Sequence, residues 1–188
     1  MSGTEPSARS GMPAWVIVSL SIVGVFVLIG GALVLLAIHG LRRYHSLAKQ
    51  AEARNSLGMI SRAAVTAYDD EDATLTHKLC PSGSQPVPIA IASVRGKRYA
   101  STPSEWRADR AANAGFACLK FEMSSPQFYQ YSYAITGSGS RVGDTFTGVA
   151  HGDLNGDGVV STFTLSGAVA PGGVVTVAPL ITETNPEE

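Results

Sequence analysis

A run of 25 residues, Ala14 to Ile38, carries no charged side chain, and it restricts the architecture more than any other feature. At about 1.5 Å per helical residue it is long enough to cross a hydrocarbon layer of about 30 Å with some tilt. No Gly/Pro-rich linker follows it. The chain passes directly into a segment whose apolar positions Leu41, Tyr44, Leu47, Ala48, Ala51, Leu57, Ile60, Ala64, Val65 and Tyr68 recur mostly at spacings of three and four. The sequence therefore predicts one rod, with a transmembrane helix over 14–40 and an amphipathic continuation over 41–70. A secretory signal peptide would have an apolar region of only about 7–15 residues followed by a small-residue cleavage site. Here the run is longer and ends in His39, Arg42, Arg43 and Tyr44, while Trp15 and Tyr44 stand where amphipathic aromatics settle at bilayer interfaces. Lys49 and Glu52, three residues apart, are expected to support each other on the wet face of the rod.

The remainder of the 188 residues is one domain's worth of core-forming chain. Residues 1–13, with only Glu5 and Arg9 charged, read as a disordered tail or a leader. Residues 71–115 form a connecting region. Its acidic start ends the helix, and Pro81, Gly83, Pro86 and Pro88 enforce a loop. Ile89–Val94 is apolar enough for a short strand or turn, and Glu105–Asn113 suits a short helix capped by Ser104. From Phe116 the period falls to two. Leu119, Phe121 and Met123 alternate with Lys120 and Glu122, and Tyr129, Tyr131, Tyr133 and Ile135 alternate with Gln130, Ser132 and Ala134. Further strands are predicted at Thr145–Leu154, Val159–Leu165 and Val174–Ile181. The fold class is thus α+β: a long amino-terminal helix packed on an antiparallel sheet over 116–188, with the tyrosine row turned to the helix rather than serving as a sugar or base platform.

With 14 Lys plus Arg against 15 Asp plus Glu, the net charge of -1 supplies no basic field for nucleic acid. Cys80 and Cys118 fit neither a zinc knuckle nor a Cys-x-x-Cys redox pair, which leaves a disulfide or two inert thiols. In an exported domain a bridge closing this loop is worth about 4 kcal/mol. Asp153, Asn155, Asp157 and Ser161, with Gly158 and the Val159 carbonyl, spell the first nine positions of a calcium loop, D-x-N-x-D-G-x-x-S. Position 12 is Thr164, which offers no bidentate carboxylate. Asn155-Gly156 and Asp157-Gly158 are equally strong hairpin-turn dipeptides, and both readings stand. No cofactor is required on either; calcium is the one candidate. His39, His45, His77 and His151 are scattered. There is no G-x-S-x-G, no paired-carboxylate context and no phosphate-cradling glycine loop, so nothing points to an enzyme.

KQAEARNSLGMI, Lys49–Ile60, resembles the part of the long helix that follows the membrane-spanning half in type IV pilins and type II secretion pseudopilins. FYQYSYAI, Phe128–Ile135, and GDLNGDGVVSTFTL, Gly152–Leu165, resemble segments of pilin-like proteins of deltaproteobacterial type. The resemblance implies a single-pass inner-membrane protein with its carboxy-terminal domain periplasmic or extracellular, a cysteine pair spanning part of the sheet, and membrane lipid and copies of itself or other pilins as partners. It implies a structural filament subunit with leader cleavage between Gly11 and Met12. The fifth residue from Met12 is Val16, where the family carries glutamate, and Pro13 is unusual there. An uncleaved single-span protein displaying a pilin-like interaction domain is therefore the alternative. Arg42, Arg43, Lys49 and Arg54 after the span would by the positive-inside rule hold the domain in the cytoplasm, against the export that the resemblance implies.

Overall fold

A computed structural model describes residues 14–70 and 77–187, with side chains within the first helix at 24–36 and from 47 onward. The tail or leader at 1–13, with Gly11 and Met12, and residues 71–76 lie outside the described residues. The fold is α+β, and the chain divides into two compact units, Met1–Tyr44 and His45–Glu188.

Helix α1, Ala14–Asp69, contributes its first part to one unit and its second part to the other. In the first unit every described side chain from Gly24 to Leu36 is exposed. Phe26, Leu28, Leu35 and Leu36 are each about 70% accessible. Among the described residues no helix is long and apolar enough to cross a membrane, and 14–23 and 37–40, the two ends of the predicted span, have no described side chains.

In the second unit β1 (Gln130–Thr136), β2 (Thr145–Gly152), β3 (Ser161–Ala170) and β4 (Val174–Val177) pair antiparallel in sequence order, and β5 (Thr182–Thr184) returns to pair with the start of β3. Strict alternation along β2 and β3 puts one side of the sheet in the core. Against it lies the row Ala53, Leu57, Ile60, Ala64 and Tyr68 of α1, none more than 1% exposed. Gly148 lets the helix approach: a Cβ there would stand 3.3 Å from Leu57 and 3.4 Å from Ile60. Gly152 likewise yields its place to the Tyr129 ring. Arg54 clamps β5 to the helix, donating to both Glu183 carboxylate oxygens at 2.7 and 2.9 Å.

The tyrosine row points inward as expected: Tyr129, Tyr131 and Tyr133 are buried. Other expectations are corrected. Phe116–Met123 is no strand. It forms a short helix, α3 (Gly115–Cys118), and then a coil in which Lys120 takes φ +53°. The alternation there records Phe116 and Phe121 packing edge-on against Trp106 at centroid distances of 5.0 and 5.4 Å. The helix expected at Glu105–Asn113 is a single turn, α2 (Pro103–Trp106), followed by a 3-10 turn at Arg110–Ala112. Its cap is Thr102 rather than Ser104, in a capping box with Glu105. Ile91–Val94 is a 3-10 turn. The strand expected over Val174–Ile181 stops at Val177, short of Pro179, which has no N–H to continue a ladder, and β5 begins only at Thr182, beyond the expected range. Along α1, Leu47, Ala48 and Ala51 face solvent, while Gln50, Ser56 and Ser61 share the buried side.

Candidate functional site

The predicted cation loop links β2 to β3 and is organised by Asp153, which is 1% exposed. Its Oδ1 accepts the Gly156 N–H at 2.7 Å; its Oδ2 accepts the Gly158 N–H and the Arg95 Nε–H, both at 3.1 Å. Gly156 and Gly158 take φ of +83° and +95°, a conformation that a side chain would strain. Asn155 Oδ1 accepts the Asp157 N–H and Asp157 Oδ1 accepts the Val159 N–H, two successive Asx turns. The structure thus brings Asp153, Asn155 and Asp157 together around a tight hairpin. Ser161 is turned away, its hydroxyl donating to the Gly152 carbonyl at 3.0 Å, and Thr164 lies beyond the loop in β3. Among the described residues no group of three or more His, Cys, Asp and Glu side chains converges as metal ligands do.

These contacts account for the buried carboxylate as the keystone of a turn. Asp153→Ala would remove two backbone hydrogen bonds of the turn and the contact to the half-exposed Arg95, and is expected to cost about 1–2 kcal/mol in chemical denaturation. The melting temperature of the unaltered chain is expected to be the same in calcium and in chelator. A calcium-dependent rise that vanishes in the variant would assign a cation to the loop instead.

A second polar cluster was not legible in the sequence. Glu52, expected on the wet face with Lys49, turns to the sheet, where Oε1 accepts the Phe128 N–H at 2.8 Å and the Tyr131 hydroxyl at 3.2 Å. Burial pushes its carboxyl above the ordinary glutamate range. Lys49 Nζ and the Arg98 guanidinium stand 4.9 and 4.6 Å from the Phe128 ring centre. Together with Asn55 these residues line an open cavity of about 410 Å³. A second cavity, of about 470 Å³, lies over Phe116 and Phe121. Three of its charges are engaged, Arg107 Nη2 meeting Glu122 at 2.7 Å and Lys120 Nζ meeting Asp70 at 3.6 Å.

Cys80 and Cys118 are joined in a disulfide. The bridge ties the connecting segment to α3, and among the described residues no cysteine is free. Of the histidines, His77 packs edge-on against Tyr68, and His151 shares a hydrogen bond with Thr162 at 2.9 Å while burial lowers its pKa. The side chains of His39 and His45 lie outside the described residues. The chain matches no protein-family model, no curated protein and no solved structure.

Proposed function

We propose that this chain is a membrane-held structural subunit of the type IV pilin-like or pseudopilin-like kind. The observation that carries the reading is the division of labour along α1. Its charge-free part presents exposed Val, Phe, Leu and Ile side chains from Val25 to Leu36, with nothing polar among the large residues to face water. Its later part is the buried spine of a domain in which an antiparallel sheet is flanked by a disulfide-bridged connecting segment. Exposed apolar surface on this scale calls for lipid or for neighbouring copies of the same helix. The disulfide supports an oxidising compartment, in keeping with a domain on the periplasmic or extracellular side of an inner membrane. In this reading the chain's work is assembly and display, not catalysis.

One observation favours a second reading, an uncleaved single-span protein that displays the same domain. No acidic residue occurs between Glu5 and Glu52, so the apolar run lacks a carboxylate to neutralise a neighbour's amino terminus inside a filament. The intact mass of protein extracted from membranes separates the two. A processed subunit is expected to begin at Met12, and a chain that keeps Met1 sinks the cleaved reading.

A further inference from the structure

The cavity of about 410 Å³ beside Phe128 lies at the start of the part of α1 that belongs to the sheet domain, and two basic stretches distant in sequence meet there. Lys49 comes from the helix; Arg98 closes the run Arg95-Gly96-Lys97-Arg98 of the connecting region. Both cations stand over one ring, at 4.9 and 4.6 Å from its centre, where two like charges repel each other. The cavity's acid answers them only in part. Glu52 is turned to the sheet, its Oε1 taken by the Phe128 N–H and the Tyr131 hydroxyl, and Arg98 reaches it only through space. Among the described residues the Arg98 guanidinium makes no hydrogen bond or ion pair, and Lys49 Nζ has a single long contact, 3.5 Å to the Leu154 carbonyl. Asn55, exposed beside them, adds an amide donor that no described residue uses.

We propose that this cavity binds the phosphate of an anionic phospholipid headgroup. A phosphodiester accepts from a planar guanidinium on two oxygens at once, so Arg98 supplies the fork, Lys49 a point charge and Asn55 a neutral donor. The volume falls among small-ligand clefts of about 300–1,000 Å³. Lipid rather than free phosphate follows from the rest of the lining and from its place in the chain. Ala48, Ala51 and the Phe128 ring are apolar, and Leu47 beside them is 50% exposed; they suit the glycerol and acyl carbons that a free phosphate lacks. Ala48 follows Ile38, the end of the charge-free run, by ten residues, and every Lys, Arg, Asp or Glu between Arg9 and Glu52 is basic: Arg42, Arg43 and Lys49. Basic residues next to a span gather anionic lipid. The inference rests on the membrane-held reading, which supplies the headgroups, and it holds whether or not the leader is cleaved.

The test uses the full-length chain in micelles of a neutral detergent and reads the thermal transition of the sheet domain. Phosphatidylglycerol added to the micelles is expected to raise the melting temperature, by about 4 °C once it exceeds its dissociation constant tenfold. Phosphatidylcholine with the same acyl chains is expected to leave it unchanged, as is inorganic phosphate at the same concentration. Lys49→Gln with Arg98→Gln is expected to weaken phosphatidylglycerol binding by about tenfold or more. Lys97→Gln, an exposed neighbour outside the lining, is expected to keep it. If the double variant melts below the unaltered chain without lipid, Asn55→Asp, which sets an acid at the exposed rim, takes its place. An equal response to inorganic phosphate would assign the cavity to a free anion and overturn the lipid. No response to phosphatidylglycerol, or one that survives the variants, overturns the site. Failure of the membrane-held reading shows separately, as release of the chain from phosphatidylcholine vesicles by alkaline carbonate. A chain that stays in those vesicles and ignores phosphatidylglycerol loses only the headgroup site.

Discussion

Replacing Cys80 and Cys118 together by alanine is expected to lower the stability of the sheet domain by about 4 kcal/mol, because the bridge closes a loop across a separation of 38 residues. Against a net stability of about 5–15 kcal/mol for a domain of this size, that loss is expected to lower the melting temperature by roughly 10 °C or more. The effect is local as well as global. The segment that the bridge anchors is the one that covers the β1 edge, through the Val87 N–H on the Tyr131 carbonyl and the Tyr131 N–H on the Val87 carbonyl, both at 2.8 Å. Losing the anchor frees an edge strand whose inward side carries Tyr131 and Tyr133, a template for pairing between chains. The double variant is therefore expected to aggregate on heating, where the oxidised chain melts without doing so. Denaturant titrations of the oxidised chain, the reduced chain and the double variant check this. The last two should coincide, and a shift below about 1 kcal/mol would mean that the bridge constrains little of the unfolded chain.

What could be read from the sequence follows from which physical signals are one-dimensional. The inward tyrosine row and the alternation of β2 and β3 were legible because one side of the sheet is buried and the other is not, so polarity keeps a period of two. The row Leu57, Ile60, Ala64 and Tyr68 was legible for the same reason at the helical period. Phe116–Met123 misled because a coil wound over Trp106 also alternates, and nothing in a single period distinguishes it from a strand. The break between β4 and β5 was present in the sequence as Pro179, and the capping box as Thr102-Pro103-Ser104-Glu105; in each case local chemistry outranked hydropathy. The candidate site was legible only in part. The spacing of Asp153, Asn155 and Asp157 announced a tight loop. That Asp153 would be claimed by Arg95, 58 residues earlier, is a tertiary fact with no local trace. Glu52 turning inward and the meeting of Lys49 with Arg98 over Phe128 depend in the same way on which segments become neighbours.

The contact that makes one domain of helix and sheet is expected to show itself as a coupling between Leu57 and Gly148. Leu57 is 1% exposed, and its Cδ2 lies 3.3 Å from where a Cβ on Gly148 would stand. Leu57→Ala alone is expected to cost about 2–5 kcal/mol through lost burial and the cavity it leaves. Gly148→Val alone pushes a Cβ and two methyls toward Leu57 and Ile60 and is expected to cost about 1–3 kcal/mol, because helix and strand must part to admit them. Together the changes partly cancel, as the valine fills space that the leucine vacates. The double variant is expected to be more stable than the sum of the single losses by roughly 1 kcal/mol or more, within the range seen for residues in contact. Denaturant titration of the four proteins measures the coupling directly. Simple additivity would mean that the helix does not lie over Gly148, and the division of α1 into an exposed apolar part and a sheet-bound part would lose its second half. A positive coupling combined with a large loss on reduction would place the disulfide and the sheet-bound part of the helix in the same cooperative unit.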